Sequence, residues 1–162
     1  MFNAIDRISI ELTKYCNFNC SYCHQNHSED NLTETMLNDV INFINRSPFI
    51  KKDLLDITPS GGEVTFFENN LINFFNVLND KLNVVRKRYA LLSNMSNVDL
   101  VIDLLDKNIL DRQRVGFSWD GKYNSDTRIN TYDNSYFMRQ IEKIGKTKYN
   151  NDINIQHAIT PE

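Results

Sequence analysis

Glycine and proline are scarce in this 162-residue chain, at five and three, and cysteine and histidine stand at three each. No low-complexity linker can be drawn from so little, and every glycine that remains carries more weight. No apolar run reaches the ~18 residues that cross a bilayer, and no charged leader precedes an apolar stretch, so the sequence predicts neither a membrane span nor export. Positive charge is not in excess. The 18 Lys and Arg face 21 Asp and Glu, for a net charge of −3, which offers no nucleic-acid footprint. The densest basic run, Arg86-Lys87-Arg88, reads as a solvated loop face. Three is an odd number of cysteines, and clustered thiols predict a reducing, cytoplasmic setting.

With 41% hydrophobic residues and 11% aromatics, the chain predicts one core and one domain over residues 1–162. Period-two alternation through Ile8, Ile10 and Leu12 reads as a first strand, Ile5 to Thr13. A helix capped by Thr33 follows, with Met36, Leu37, Val40, Ile41 and Ile44 inward, ending before Ser47-Pro48. Leu54 to Thr58 reads as a second strand stopped by Pro59. Leu71, Phe74, Phe75, Leu78 and Leu82 repeat at helical spacing, and Tyr89 to Ser93 gives a third strand. Asn97 caps a helix carrying Leu100, Val101, Leu104 and Leu105, and Val115 to Ser118 follows as a fourth. Asn134 or Ser135 caps the last helix, with Phe137, Ile141 and Ile144 inward and Gly145 closing it. Ile153 to Thr160 is the fifth strand.

Strands alternating with helices predict an α/β fold with a mainly parallel sheet. A closed eight-fold barrel takes about 250 residues, so the expected architecture is a partial (β/α) TIM-like barrel. This is an open curved sheet of about five strands with helices on its outer face. In such sheets ligands gather at the carboxyl ends of the strands. Every conspicuous polar cluster falls there: the cysteines, Ser60-Gly61-Gly62-Glu63, Ser93-Asn94 and Ser118-Trp119-Asp120-Gly121.

All three cysteines, Cys16, Cys20 and Cys23, lie in the string CNFNCSYCH. One reading is a buried helix face at i, i+4, i+7, which Asn17, Asn19 and Ser21 make unattractive. Another is a zinc site completed by His24 or His27. A third is the C-x-x-C-H haem-attachment string, which leaves Cys16 without a role. Three thiolates also suit a cubane iron-sulfur cluster with one iron left open.

At this spacing the chain resembles the radical S-adenosylmethionine (radical SAM) superfamily, whose signature is C-x-x-x-C-x-Φ-C with an aromatic Φ. Cys16, Cys20, Tyr22 and Cys23 match it residue by residue. The resemblance implies that the three thiolates hold a 4Fe-4S cluster, whose open iron chelates S-adenosylmethionine. It implies reductive cleavage of that cofactor to a 5′-deoxyadenosyl radical that abstracts hydrogen from a substrate. A reductase or flavodoxin-like electron donor is implied as a partner.

Gly61-Gly62-Glu63 matches the family's Gly-Gly-Glu motif, with Val64 where a proline is usual. The two glycines are expected to let backbone approach the cofactor, and Glu63 to pair with its ammonium group. Ser118-Trp119-Asp120-Gly121 resembles the S-x-D-G segment of relatives with SPASM extensions, many of which modify peptides or proteins. The same resemblance assigns cofactor contacts to Tyr22, Ser118, Asp120 and Arg128, and ribose contacts to Ser93 and Asn94. His157 reads as a core histidine. Glycyl-radical activating enzymes are the alternative within the resemblance. A zinc-stabilised Cys3His binding module lies outside it. Because relatives continue beyond a fifth strand, a truncated, catalytically incomplete core is a further reading.

Overall fold

Alternation of Ile8, Ile10 and Leu12 with polar neighbours builds β1 (Arg7–Thr13), with Ile10 and Leu12 buried. Residues 4–120, 128–129 and 132–156 are described by this computed structural model. His157, Gly121 and the end of the expected fifth strand lie outside them. After β1 come β2 (Asn19–Cys20), α1 (Glu34–Arg46), β3 (Leu54–Gly61), a 3-10 turn (Val64–Phe66), α2 (Glu68–Lys81), β4 (Arg86–Ser93), α3 (Val98–Asp106) and β5 (Leu110–Ser118). The chain then forms β6 (Arg128–Ile129), α4 (Asn134–Gly145) and β7 (Asn154–Gln156).

Five strands form one parallel sheet in the order β1-β3-β4-β5-β7, as the βα rhythm predicts. Each crossover through a helix is what lets parallel strands pair. The sheet is open, and β2 and β6 add an antiparallel pair in which Cys20 faces Arg128. That pair was not legible in sequence, because two-residue strands carry no periodicity.

Capping sets the helix starts. The Thr33 side chain accepts from the Met36 N–H and Asn97 from the Leu100 N–H, each worth about 1 kcal/mol. Four expectations need correction. Asp133, not Asn134 or Ser135, caps α4, accepting from the Tyr136 N–H. Gly145 is the last residue of α4 and not a left-handed stop; among the described glycines only Gly61 has positive φ. Met36 is exposed, since Leu37, Ile41 and Ile44 suffice to seat α1. Arg86 to Arg88 is not a loop but the start of β4, and Arg88 bonds Asp56.

Pro59 does not stop β3. The Asp56 N–H donates toward β1, to the Asp6 carbonyl, so alternation turns the Pro59 nitrogen toward β4. There the β3–β4 ladder has already ended at Ile57 and Tyr89, and a missing donor breaks nothing.

Leu55 and Ile57, Tyr89 and Leu91, and Val115 and Phe117 point to one face and pack under the helices. Burial of each such apolar side chain contributes roughly 1.5–3 kcal/mol. Alternation sends Asp56, Thr58 and Ser60, Arg88, Ala90 and Leu92, and Arg114, Gly116 and Ser118 to the opposite face. That face is polar, and no helix covers it among the described residues. It is the lumen side of a partial barrel, with its mouth at the carboxyl ends of the strands.

Candidate functional site

β1 ends at Thr13 and delivers the chain into the cysteine loop, which is anchored at its root by the glycine pair. The Gly62 N–H donates to the Thr13 carbonyl at 2.9 Å and the Glu63 N–H to the Tyr15 carbonyl at 2.8 Å. A Cβ on Gly61 would sit 1.9 Å from the Thr13 oxygen, and Gly61 has φ +119°. A Cβ on Gly62 would sit 1.9 Å from the Tyr15 oxygen. The close approach of the chain's own loop is therefore enough to demand glycine at both positions. Farther along, Phe18 is buried against Tyr132 and Phe137, at ring-centroid distances of 6.0 and 6.1 Å.

Glu63 holds the next seam. Its carboxylate is 2% exposed. Oε1 accepts from the Thr65 N–H at 3.1 Å, the Thr65 hydroxyl at 2.6 Å and the Ser93 hydroxyl at 3.0 Å. Oε2 accepts from the Asn94 N–H at 2.6 Å. Oε1 is saturated, whereas Oε2 keeps a lone pair. Burial pushes the Glu63 carboxyl above its ordinary range, opposed by these four donors.

The Asn94 side chain ties β4 to the loop. Its amide nitrogen donates to Asn17 Oδ1 at 3.0 Å and lies 3.8 Å from Cys16 Sγ, while its oxygen accepts from the Ser96 N–H and hydroxyl. Asn17 in turn donates to the Ser96 hydroxyl at 2.8 Å. Both donors and both acceptor positions of Asn94 are thus in use.

A third seam joins the loop to β5 and β6. Arg128 Nε donates to Asp120 Oδ2 at 2.9 Å and Nη2 to Oδ1 at 3.3 Å. The Tyr22 hydroxyl donates to the same carboxylate at 2.9 Å, and the guanidinium carbon lies 5.4 Å from the Tyr22 ring centroid. Arg128 is 7% exposed and Asp120 8%. A forked pair with both partners buried is the geometry in which arginine outperforms lysine. Burial, with the bond to Asp120, raises the Tyr22 phenol.

These seams enclose a cavity of about 310 Å³ at the mouth of the sheet. Cys16, Cys20 and Cys23 line it together, with Tyr22, Gly61, Gly62, Glu63, Ser93, Asn94, Ser118 and Arg128. Of the expected site residues only Asp120 is not on its wall; it reaches the cavity through Arg128 and Tyr22. Cys16 and Cys20 are half-buried and Cys23 is exposed, all with free thiols. Burial pushes the Cys16 thiol to about 11 and raises Cys20 as well, the latter opposed by Arg128. Among the described residues no three Cys, His, Asp or Glu side chains converge closely enough to hold a metal ion. Cys23 Sγ lies 3.5 Å from His27 Nε2.

Asn17, Thr65 and Ser96 were missed in sequence. Asn17 sits inside the string CNFNCSYCH and Thr65 two residues after Glu63, and no local pattern marks them because their partners Ser96, Asn94 and Ser93 lie on or just after a distant strand.

No family model matches the chain, and no curated protein matches it. Solved structures do. The chain matches anSMEcpe with bound AdoMet at 20% identity and a TM-score of 0.62, covering 94% of this chain and 43% of that one. It matches native anSMEcpe with bound AdoMet and Cp18Cys peptide at 21% identity and a TM-score of 0.63. The corresponding structure with Kp18Cys peptide gives 21% and 0.64. The likeness is one of fold, and this chain spans less than half the length of those chains. anSMEcpe is a sulfatase-maturating enzyme of the radical SAM class. No helix among the described residues is long and apolar enough to cross a membrane.

Proposed function

We propose that the chain is the core of a radical SAM enzyme whose cavity holds a 4Fe-4S cluster and S-adenosylmethionine and acts on a peptide or protein. The observation that carries this reading is that all three cysteines of the C-x-x-x-C-x-Φ-C string line one cavity beside the Gly-Gly-Glu turn. The fold shared with AdoMet-bound, peptide-bound anSMEcpe supports the cofactor and the substrate class. The donor set suits the cluster, being three thiols with one carboxylate, Glu63, whose Oε1 is saturated by hydrogen bonds and whose Oε2 keeps one lone pair. When bound, a reduced cluster supplies the electron that splits the sulfonium into methionine and a 5′-deoxyadenosyl radical, which takes hydrogen from the substrate.

The chain's own residues bind, orient and shield. Cys16, Cys20 and Cys23 are the cluster ligands. The open lone pair of Glu63 Oε2 receives the ammonium group of S-adenosylmethionine, and Arg128, held by Asp120 and Tyr22, receives its carboxylate. Ser93 and Ser118 offer hydroxyls on the cavity wall. Asn94 offers a polar edge for the ribose at the expense of one bond to the loop. Phe18, Pro59, Val64 and Leu92 line the same cavity and keep water from a radical. A cytoplasmic setting with a flavodoxin-like or reductase electron donor completes the reading.

Anaerobic reconstitution with iron and sulfide tests it. The protein should turn brown, bind about four irons, and release 5′-deoxyadenosine from S-adenosylmethionine under reduction, all lost in Cys20→Ala. The contact between Cys23 and His27 favours one rival, a zinc-stabilised module. A colourless protein holding one tight zinc would establish that rival instead.

A further inference from the structure

The lumen face carries a second cavity, of about 290 Å³, that the cofactor reading leaves unused. Thr58 and Leu92 line both cavities, so the two are neighbours along the same face of β3 and β4. Its charged lining residues are Arg7, Arg114 and Asp56.

Asp56 is a buried carboxylate at 6% side-chain exposure, and its oxygens are already committed. Oδ1 accepts from Arg88 Nε at 2.7 Å, and Oδ2 lies 2.9 Å from Arg114 Nη1 and 3.8 Å from Arg7 Nε. Three guanidinium groups from three strands therefore share one carboxylate. Arg114 has one further acidic neighbour, Asp111, at a loose 3.8 Å, and Asp6 beside Arg7 is taken by Lys51 at 3.1 Å. Arg114 spends one strong donor on Asp56 and lines the cavity at 26% side-chain exposure. Asn154 and Gln156, which pair with Gly116 and Ser118 of β5 on this face, add amide side chains to the wall.

A cavity whose one lining acid is committed and whose guanidinium is in surplus is complementary to an anion, and amides along a strand suit a peptide. We propose that this cavity is the substrate-selecting subsite and that it takes a Glu or Asp side chain of a peptide, with Arg114 as the residue that chooses it. The inference rests on the radical reading of the adjoining cavity. It supplies what that reading lacks, a chemical class for the substrate. A carboxylate bound at Arg114 would hold the peptide on the floor of the lumen, with its neighbouring carbon atoms reaching past Thr58 and Leu92 toward the cofactor cavity.

The test is isothermal titration of the reconstituted protein with two acetylated, amidated pentapeptides that differ only in a central Glu or Gln. With both termini blocked, a preference reports the side chain alone. The Glu peptide should bind at least about tenfold more tightly, a difference of ~1.4 kcal/mol. Added salt should weaken the Glu peptide and not its partner. In Arg114→Gln the preference should collapse, and in Arg114→Lys part of it should remain.

Arg114→Gln also removes a partner of buried Asp56, so Gln156→Glu serves as a second variant on an exposed residue. It should repel the Glu peptide and spare the Gln peptide. Equal affinities in the parent protein, or a preference that survives both variants, would overturn the proposal and leave the arginines as a structural plug. Loss of iron binding and of 5′-deoxyadenosine would remove the radical reading. Equal peptide affinities in a protein that does cleave S-adenosylmethionine remove the acidic selectivity alone.

Discussion

Gly62 sits directly against Tyr15: a Cβ on the glycine would come within 1.9 Å of the tyrosine carbonyl oxygen and 2.4 Å of its carbon. The contact joins the strand end that carries Glu63 to the loop that carries all three cysteines. Neither partner can yield, because both atoms are backbone. The glycine pair is thus the hinge pin of the site.

Gly62→Ala should destabilise the fold by at least about 2 kcal/mol through overpacking and should lower iron uptake by displacing the root of the loop. Gly145→Ala is the control, since nothing lies within 4 Å of its Cβ position and it is in a helix. It should be neutral or stabilising by up to about 1 kcal/mol. Thermal unfolding and iron content measured on both variants separate a loop-specific effect from a general loss of glycine.

Glu63→Gln should cost about 1–3 kcal/mol. Whichever way the amide is turned, its NH2 opposes a backbone donor, the Asn94 N–H or the Thr65 N–H. Burial raises the Glu63 carboxyl above its ordinary value. A carboxyl whose folded pKa exceeds its unfolded pKa contributes stability that is complete below the unfolded value and fades as pH rises through the folded one. The gap between parent and variant should therefore widen as pH is lowered through that window. Urea midpoints at several pH values read it, and a gap that narrows on acidification would mean the four hydrogen bonds outweigh burial.

Tyr22→Phe removes one hydroxyl from Asp120 and should cost about 1 kcal/mol. Arg128→Ala leaves a buried carboxylate without its forked partner and should cost about 3–5 kcal/mol. A double-mutant cycle on the two should show coupling, because both donate to Asp120 Oδ2. Strict additivity would mean the two contacts are independent.

Asn94→Ala should release Asn17 and Ser96 together, since one amide serves both. Alkylation of Cys16 by iodoacetamide in the metal-free protein should then quicken severalfold, because the neighbouring amide that screens its sulfur is gone. Cys23, which is already exposed, should react at its former rate. Peptide mapping by mass spectrometry distinguishes the two thiols.

Phe43 on α1 and Phe49 just after it remain largely exposed, at 66% and 61%. Phe43→Ser should change stability by no more than about 0.5 kcal/mol, which chemical denaturation can verify.

The elements easiest to read in sequence were those whose cause is local. Thr33 and Asn97 cap the helices they were expected to cap, because a cap satisfies N–H groups two or three residues away. Ile8, Ile10 and Leu12 announce β1 because strand burial has a period of two. The errors share the opposite character. Pro59 was read as a stop because its missing donor is visible in sequence, while the absence of any β4 ladder beside it is not. Arg86 to Arg88 was read as solvated because Asp56, the acid that Arg88 bonds, lies some thirty residues earlier on another strand.

By itself the sequence determined the βα rhythm, the parallel open sheet and the cysteine triplet with its aromatic, all set by spacing along the chain. Only the tertiary structure decided what those residues touch. It seated the Thr13 and Tyr15 carbonyls against the glycine pair, and made Glu63 the seam between two strand ends. It joined Tyr22, Asp120 and Arg128 into one clasp and set three arginines around Asp56. Each of these depends on strands brought side by side by burial of their helix-facing residues. Their polar neighbours follow by alternation, and no pattern within a single segment encodes which of them will meet.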